Sequence, residues 1–201
     1  MIKFSAETQA FTLSKGAIKA LLAYLGSDAM RVNLTQAQFC PVTGQVQVTD
    51  GHVALNWCAH PGPVLKADDR AFCVPRDLLA SAMRAIPTGG SALVSVDCVI
   101  VRDKRNAEVS RTARKLADLH SFIPSFAQVF PKLRTASSMT CVPTGFGTEL
   151  FSRIAHIPAL LEDCAGVMVH PGPGELDPWN IIGASSAQET VTVVIMPRKL
   201  G

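Results

Sequence analysis

Aromatic and charged side chains are what this sequence has least of: Phe, Trp and Tyr make up 6% of its 201 residues, and Asp, Glu, Lys and Arg 17%. Its 19 basic and 16 acidic residues leave a formal charge of only +3, which permits a nucleic-acid surface without requiring one. No apolar run approaches the roughly 18 residues that span a bilayer. The opening Met1-Ile2-Lys3-Phe4-Ser5 also lacks the basic-then-apolar layout of a secretory signal, so a cytoplasmic protein with no membrane contact is expected. The six cysteines (Cys40, Cys58, Cys73, Cys98, Cys141 and Cys164) include no C-x-x-C and no cluster with His at zinc-finger spacing, which excludes a common structural metal site. With 48% apolar residues the chain can build a core without cross-links, so the cysteines read as reduced and mostly buried. G-x-S-x-G, H-E-x-x-H and the glycine-rich phosphate loops are missing as well. Pro171-Gly172-Pro173-Gly174 has neither the spacing nor the following Lys of such a loop, and reads as a surface turn. No catalytic residue, cofactor or metal is expected.

Three segments do carry helical periodicity. Ser14 to Leu25 places Ile18, Leu21, Leu22 and Leu25 on one face, with Ser14 as N-cap and Gly26 as the stop. A second helix is predicted from about Pro75 to Ile86, ended by Pro87, and a third from about Thr148 to Ile157, disturbed by Pro158. Alternating or β-branched runs predict strands at 31–35, 45–48, 54–57, 93–96, 99–102, 167–169 and 190–196. The order is strand, helix, several strands, three times over. Phe11-Thr12-Leu13-Ser14 enters the first helix as Phe72-Cys73-Val74-Pro75 enters the second, 61 residues later, and Cys141-Val142-Pro143 precedes the third. One helix on a few strands has too little core to stand alone, so the units should pair through their sheets. The fold class is α+β, built from three repeated units.

Thr49-Asp50-Gly51-His52 lies between two predicted strands. Asp-Gly is a hairpin signal because Gly supplies the positive φ of the turn, and that accounts for Asp50 and Gly51 but not for His52. A hydrolytic pairing of Asp50 with His52 would need a nucleophile that no motif supplies.

Taken in order, four motifs resemble the bacterial DNA polymerase III β sliding clamp. They are Thr49-Asp50-Gly51-His52; Val74-Pro75-Arg76 opening a helix; Phe122-Ile123-Pro124-Ser125-Phe126 with Val129-Phe130-Pro131; and the terminal Val194-Ile195-Met196-Pro197-Arg198-Lys199-Leu200. The resemblance implies a DNA-clamp fold, with helices lining a ring around duplex DNA and sheets outside. It makes residues 1–66 half a clamp domain, like the second half of the family's middle domain, and residues 67–201 a complete one, like its last. It also implies a peptide-binding pocket formed by Thr49, Gly51, His52, Val53, Pro124, Val129, Val194, Met196, Pro197 and Leu200, where DNA polymerase and other partners insert a short apolar-polar motif. Val53-Ala54 replaces the family's usual Arg-Leu, Gln128 stands where a basic residue is common, and Arg198 and Gly201 alter the tail.

On this reading the DNA-facing cations would be Lys15 and Lys19 on the first helix, Arg76 and Arg84 on the second and Arg153 on the third, attracting phosphates without reading sequence. The groups Arg102-Lys104-Arg105 and Arg111-Arg114-Lys115 have no assigned role. The familiar ring has twelve units. This chain has three, so four chains of 21.4 kDa, about 86 kDa in all, would close a tetramer. On this count the first unit stands unpaired within the chain and a second copy covers it. Whether a clamp loader opens the ring is left open by the sequence. Two other functions fit the same residues: a clamp-fold adaptor or decoy that binds replication proteins without encircling DNA, and a small hydrolase using Asp50 and His52.

Overall fold

Ser14 ends an extended segment and its hydroxyl accepts from Ala17 N at 3.1 Å, so the first helix starts where the capping rule places it. The computed structural model describes residues 1–28, 30–59, 71–113, 148–164, 166–172 and 177–196. In chain order these form β1 (Ile2–Ser5), β2 (Ala10–Ser14), α1 (Lys15–Tyr24), β3 (Gln36–Cys40), β4 (Gln45–Thr49), β5 (Val53–Cys58), β6 (Phe72–Pro75) and α2 (Arg76–Ala85). There follow β7 (Ser91–Val94), β8 (Cys98–Arg102), β9 (Glu108–Ala113), α3 (Thr148–Ser152), β10 (Val167–His170), β11 (Trp179–Ala184) and β12 (Thr190–Ile195).

The described strands form two antiparallel sheets, ordered β1-β2-β7-β8-β9 and β10-β11-β12-β5-β4-β3-β6. The core between sheets and helices is aromatic at its centre. Phe11 of β2 meets Phe39 of β3 edge-on at 5.1 Å, and Phe39 stacks on Phe72 of β6 at 5.5 Å, arrangements that suit the ring quadrupoles. Helix α1 adds Ala17, Ile18, Ala20, Leu21 and Tyr24, all buried. The other face of the seven-stranded sheet is buried too, and it is polar: Gln45, Gln47 and Asn56 alternate with the core-facing Val46, Val48 and Leu55. Gln47 Nε2 donates to Gln45 Oε1 at 3.2 Å and to Asn56 Oδ1 at 3.0 Å, and these bonds offset the desolvation of the amides.

Several expectations change. The β-branched run at 31–35 is a 3-10 turn, Val32–Leu34, because Leu34 N and Thr35 N bond back to Arg31 O and Val32 O and the Thr35 hydroxyl adds a further bond to Val32 O; local hydroxyl bonding outcompetes the ladder. The third helix is α only over Thr148–Ser152 and continues as a 3-10 helix over Arg153–Ala159, which contains Pro158, a residue with no N–H to extend the α ladder. Strands β1, β9 and β11 lacked a strong sequence signal. Of the cysteines, Cys40, Cys58 and Cys73 are buried, and all five described are free; Cys141 lies outside the described residues.

The pairing of units changes as well. The strand leading into α1 joins the sheet of the second unit, Phe11↔Val94 to Ser14↔Ser91, and the strand leading into α2 joins the sheet of the first, Phe39↔Phe72 to Gln36↔Pro75. Units one and two therefore exchange leading strands, and the first unit does not stand unpaired. The third unit instead extends the first unit's sheet through β12 on β5. A division into 1–66 and 67–201 cuts across both sheets, since each draws strands from either side.

Candidate functional site

The turn between β4 and β5 is where polar contacts concentrate. Gly51 takes φ +91°, a conformation that strains any residue with a Cβ. Thr49 Oγ1 donates to Val53 O at 2.8 Å and accepts from Gly51 N at 3.0 Å. Asp50 Oδ1 accepts from the backbone of His52 at 2.8 Å and of Val53 at 2.9 Å, while Oδ2 forms an ion pair with Arg153 Nη1. Burial pushes the Asp50 carboxyl up, but those two N–H groups and the Arg153 guanidinium outweigh it and hold it below the usual carboxylate range. Arg153 is itself fixed, since its carbonyl accepts from the Tyr24 hydroxyl of α1 at 2.7 Å; burial raises the Tyr24 pKa well above that of a free tyrosine.

Beyond the turn, Met196 N donates to His52 O at 3.1 Å, so the end of β12 lies against the turn. The structure thus brings together Thr49, Gly51, His52, Val53, Val194 and Met196. Their contributions differ. Gly51, His52 and Met196 are exposed, whereas Val53 and Val194 are each 1% exposed and act by setting the register of β5 on β12. Pro124, Val129, Pro197 and Leu200 lie outside the described residues. The result is a rigid turn that presents backbone edges and an imidazole beside a thioether, a surface suited to holding an extended apolar segment. It is poorly suited to hydrolysis, because both Asp50 oxygens are engaged and the partner they find in His52 is its backbone N–H.

The five candidate helix cations separate into two kinds. Arg76, the first residue of α2, donates through Nη1 to Leu22 O at 2.8 Å and Leu25 O at 2.7 Å, closing the C-terminal end of α1. Lys15, the first residue of α1, reaches Ile86 O just past the end of α2 at 3.4 Å. The two helices therefore run antiparallel, each closed by the cation that opens the other, which complements both helix dipoles. Arg153 is committed to Asp50. Lys19 and Arg84 alone of the five are exposed with no hydrogen bond or ion pair among the described residues. Sequence reasoning passed over the reciprocal caps and the Asp50–Arg153 pair. The 61-residue offset that aligns Phe11 with Phe72 also aligns Lys15 with Arg76 and could have revealed the caps; a contact 103 residues apart leaves no local signal.

No family model matches the sequence and no curated protein matches it. Solved structures do. The DNA polymerase III subunit beta of Pseudomonas aeruginosa superposes with a TM-score of 0.57 at 13% identity, over 95% of this chain and 66% of that one. The Helicobacter pylori beta clamp bound to a DNA ligase peptide gives 0.61 at 10% identity, over 95% and 66%. The same clamp in complex with carprofen gives 0.61 at 10%, over 96% and 67%. The chain spans about two thirds of the length of these structures. At such identities the likeness speaks to architecture, and its architecture, with antiparallel sheets and helices in repeated units, is the fold of the bacterial sliding clamp.

Proposed function

We propose that the protein is a DNA sliding clamp, a processivity factor that encircles duplex DNA and tethers a polymerase and other partners without catalysing a reaction itself. The observation that carries this reading is the turn at 49–53, tied on every side and abutting Met196, because a clamp's partners recognise a fixed site for an extended peptide. A clamp of this fold from Helicobacter pylori is seen bound to a DNA ligase peptide, and the same kind of ligand is proposed here, held by Thr49, Gly51, His52, Val53, Val194 and Met196, with Pro124, Val129, Pro197 and Leu200 completing the pocket. The DNA side is assigned to α1 and α2, whose uncommitted cations Lys19 and Arg84, with Lys15 beside them, attract phosphates without reading bases. Arg76 and Arg153 serve this side through structure rather than through contact. A homotetramer of about 86 kDa would supply the twelve units of a closed ring.

The test has two arms. A short clamp-binding peptide should bind with a Kd on the order of micromolar, as a linear motif with little buried area does, and truncation before Met196 should abolish binding in a protein that stays folded. The clamp should also be retained on nicked circular DNA and lost when the circle is linearised. Peptide binding with no topological retention would move the reading to an adaptor that holds replication proteins off DNA.

A further inference from the structure

The two sheets treat the last strand of a unit differently. In the first unit that strand is β5, covered along all six residues by the last strand of the third unit, from Val53↔Ile195 to Cys58↔Thr190. The last strand of the second unit is β9, also six residues long. Among the described residues it stands at the edge of its sheet, and every one of its residues is exposed. A bare strand of this kind is a template for pairing. The usual protections are thin: Glu108-Val109-Ser110-Arg111-Thr112-Ala113 holds no Pro and no Lys. One register shift, between Val101 and Arg102 of β8, touches only its first residues. Its two charges neutralise each other, Arg111 Nη2 lying 2.8 Å from Glu108 Oε2, so a second strand meets no net repulsion.

From this we infer that β9 is the surface through which two copies of this chain join, pairing antiparallel with β9 of the second copy across a two-fold axis. The choice of occupant follows from the fold itself. Last strands pair with last strands, as β5 does with β12, and those two already occupy each other. The last strand left open on any other copy is β9. Self-pairing of Ser110–Ala113, the regular part of the strand, continues the five-stranded sheet from one copy into the next and makes the interface isologous. The inference deepens the assembly part of the proposed function by naming an interface. It rests on that reading only for the number of chains, because β9 pairs whether or not a ring closes.

The experiment is light scattering at micromolar concentration on the full chain and on Val109→Lys/Thr112→Lys, which places lysines on an exposed edge without touching the core, with circular dichroism to show that the variant is folded. Hydrogen exchange on the parent, read above and below the dissociation midpoint, reports the strand directly. The mass of the variant should be half that of the parent, and the β9 amides should be protected only at the higher concentration. A folded variant with the parent's mass, a parent that is monomeric, or β9 amides whose exchange ignores concentration would each overturn the interface. A parent dimer that the variant splits into monomers supports β9 and sinks the tetrameric ring. A parent tetramer that the variant leaves intact does the reverse.

Discussion

The turn at 49–53 and the cations Lys19 and Arg84 are both exposed, yet the structure holds them in opposite ways. In the turn every polar group of Thr49 and Asp50 has a fixed partner, one of them from a segment 103 residues away. On α1 and α2, Lys19 and Arg84 are anchored only by their own backbones. The difference matches two kinds of recognition. Selecting a peptide needs groups held in place before it arrives, since ordering them afterwards subtracts from affinity. Holding a sliding duplex needs charge that follows the phosphates, and a fixed, directional contact would trap it at one register.

The hardest way to break this contrast is to untie the turn. Asp50→Ala leaves Arg153, His52 N and Val53 N without their acceptor. It should lower stability by about 2–3 kcal/mol in denaturant melts, toward the lower end of the effect of splitting a buried pair, and weaken peptide binding at least tenfold by calorimetry. The next largest effect should come from Arg76→Ala, at about 1.5–2 kcal/mol for two charge-assisted bonds to helix carbonyls. The equivalent Lys15→Ala, with one long and partly exposed bond, should stay within about 0.5 kcal/mol. Acid should untie the turn without mutation. Asp50 has a pKa below its unfolded value of about 3.9, so its contribution is complete above that value and is lost as pH falls through the folded pKa. Peptide affinity followed by fluorescence anisotropy should hold down to about pH 4 and drop below it, and in Asp50→Asn that acid limb should vanish. The smallest effect on folding belongs to Lys19→Glu/Arg84→Glu, which should leave the melting midpoint unchanged within about 0.5 kcal/mol. The same variant should reduce the slope of log K for DNA against log salt by about 2. If it instead melted early and held DNA normally, the helix face would be structural and the contrast would fail.

Much of the fold was legible because its signals are local. The period of Ile18, Leu21, Leu22 and Leu25, the Ser14 cap, and Asp50-Gly51 between two runs of Val each act within a few residues, and the structure places helix, cap and turn accordingly. What was not legible is long-range or two-sided. Strands β9 and β11 miss the usual alternation for opposite reasons, one exposed throughout and the other carrying buried residues on both faces. Which units would pair was also beyond reach, since a leading strand such as Phe72-Cys73-Val74-Pro75 reads the same whichever sheet receives it. Of the candidate site, the turn and Met196 emerged from motif order. The split of the cations into caps and free charges needed the positions of carbonyls at the far end of another helix.

The exchange of leading strands between the first two units has a consequence for how this chain can be taken apart. Each unit keeps its helix but gives its entering strand to the other's sheet, so neither half holds a whole sheet of its own. A break in the backbone between β5 and β6 should therefore yield two pieces that are each insoluble or unstructured alone, yet restore the fold when made together, because every exchanged ladder can form between separate molecules as well as within one. The molecule is in effect a built-in split reporter, its two parts each selecting the other by register.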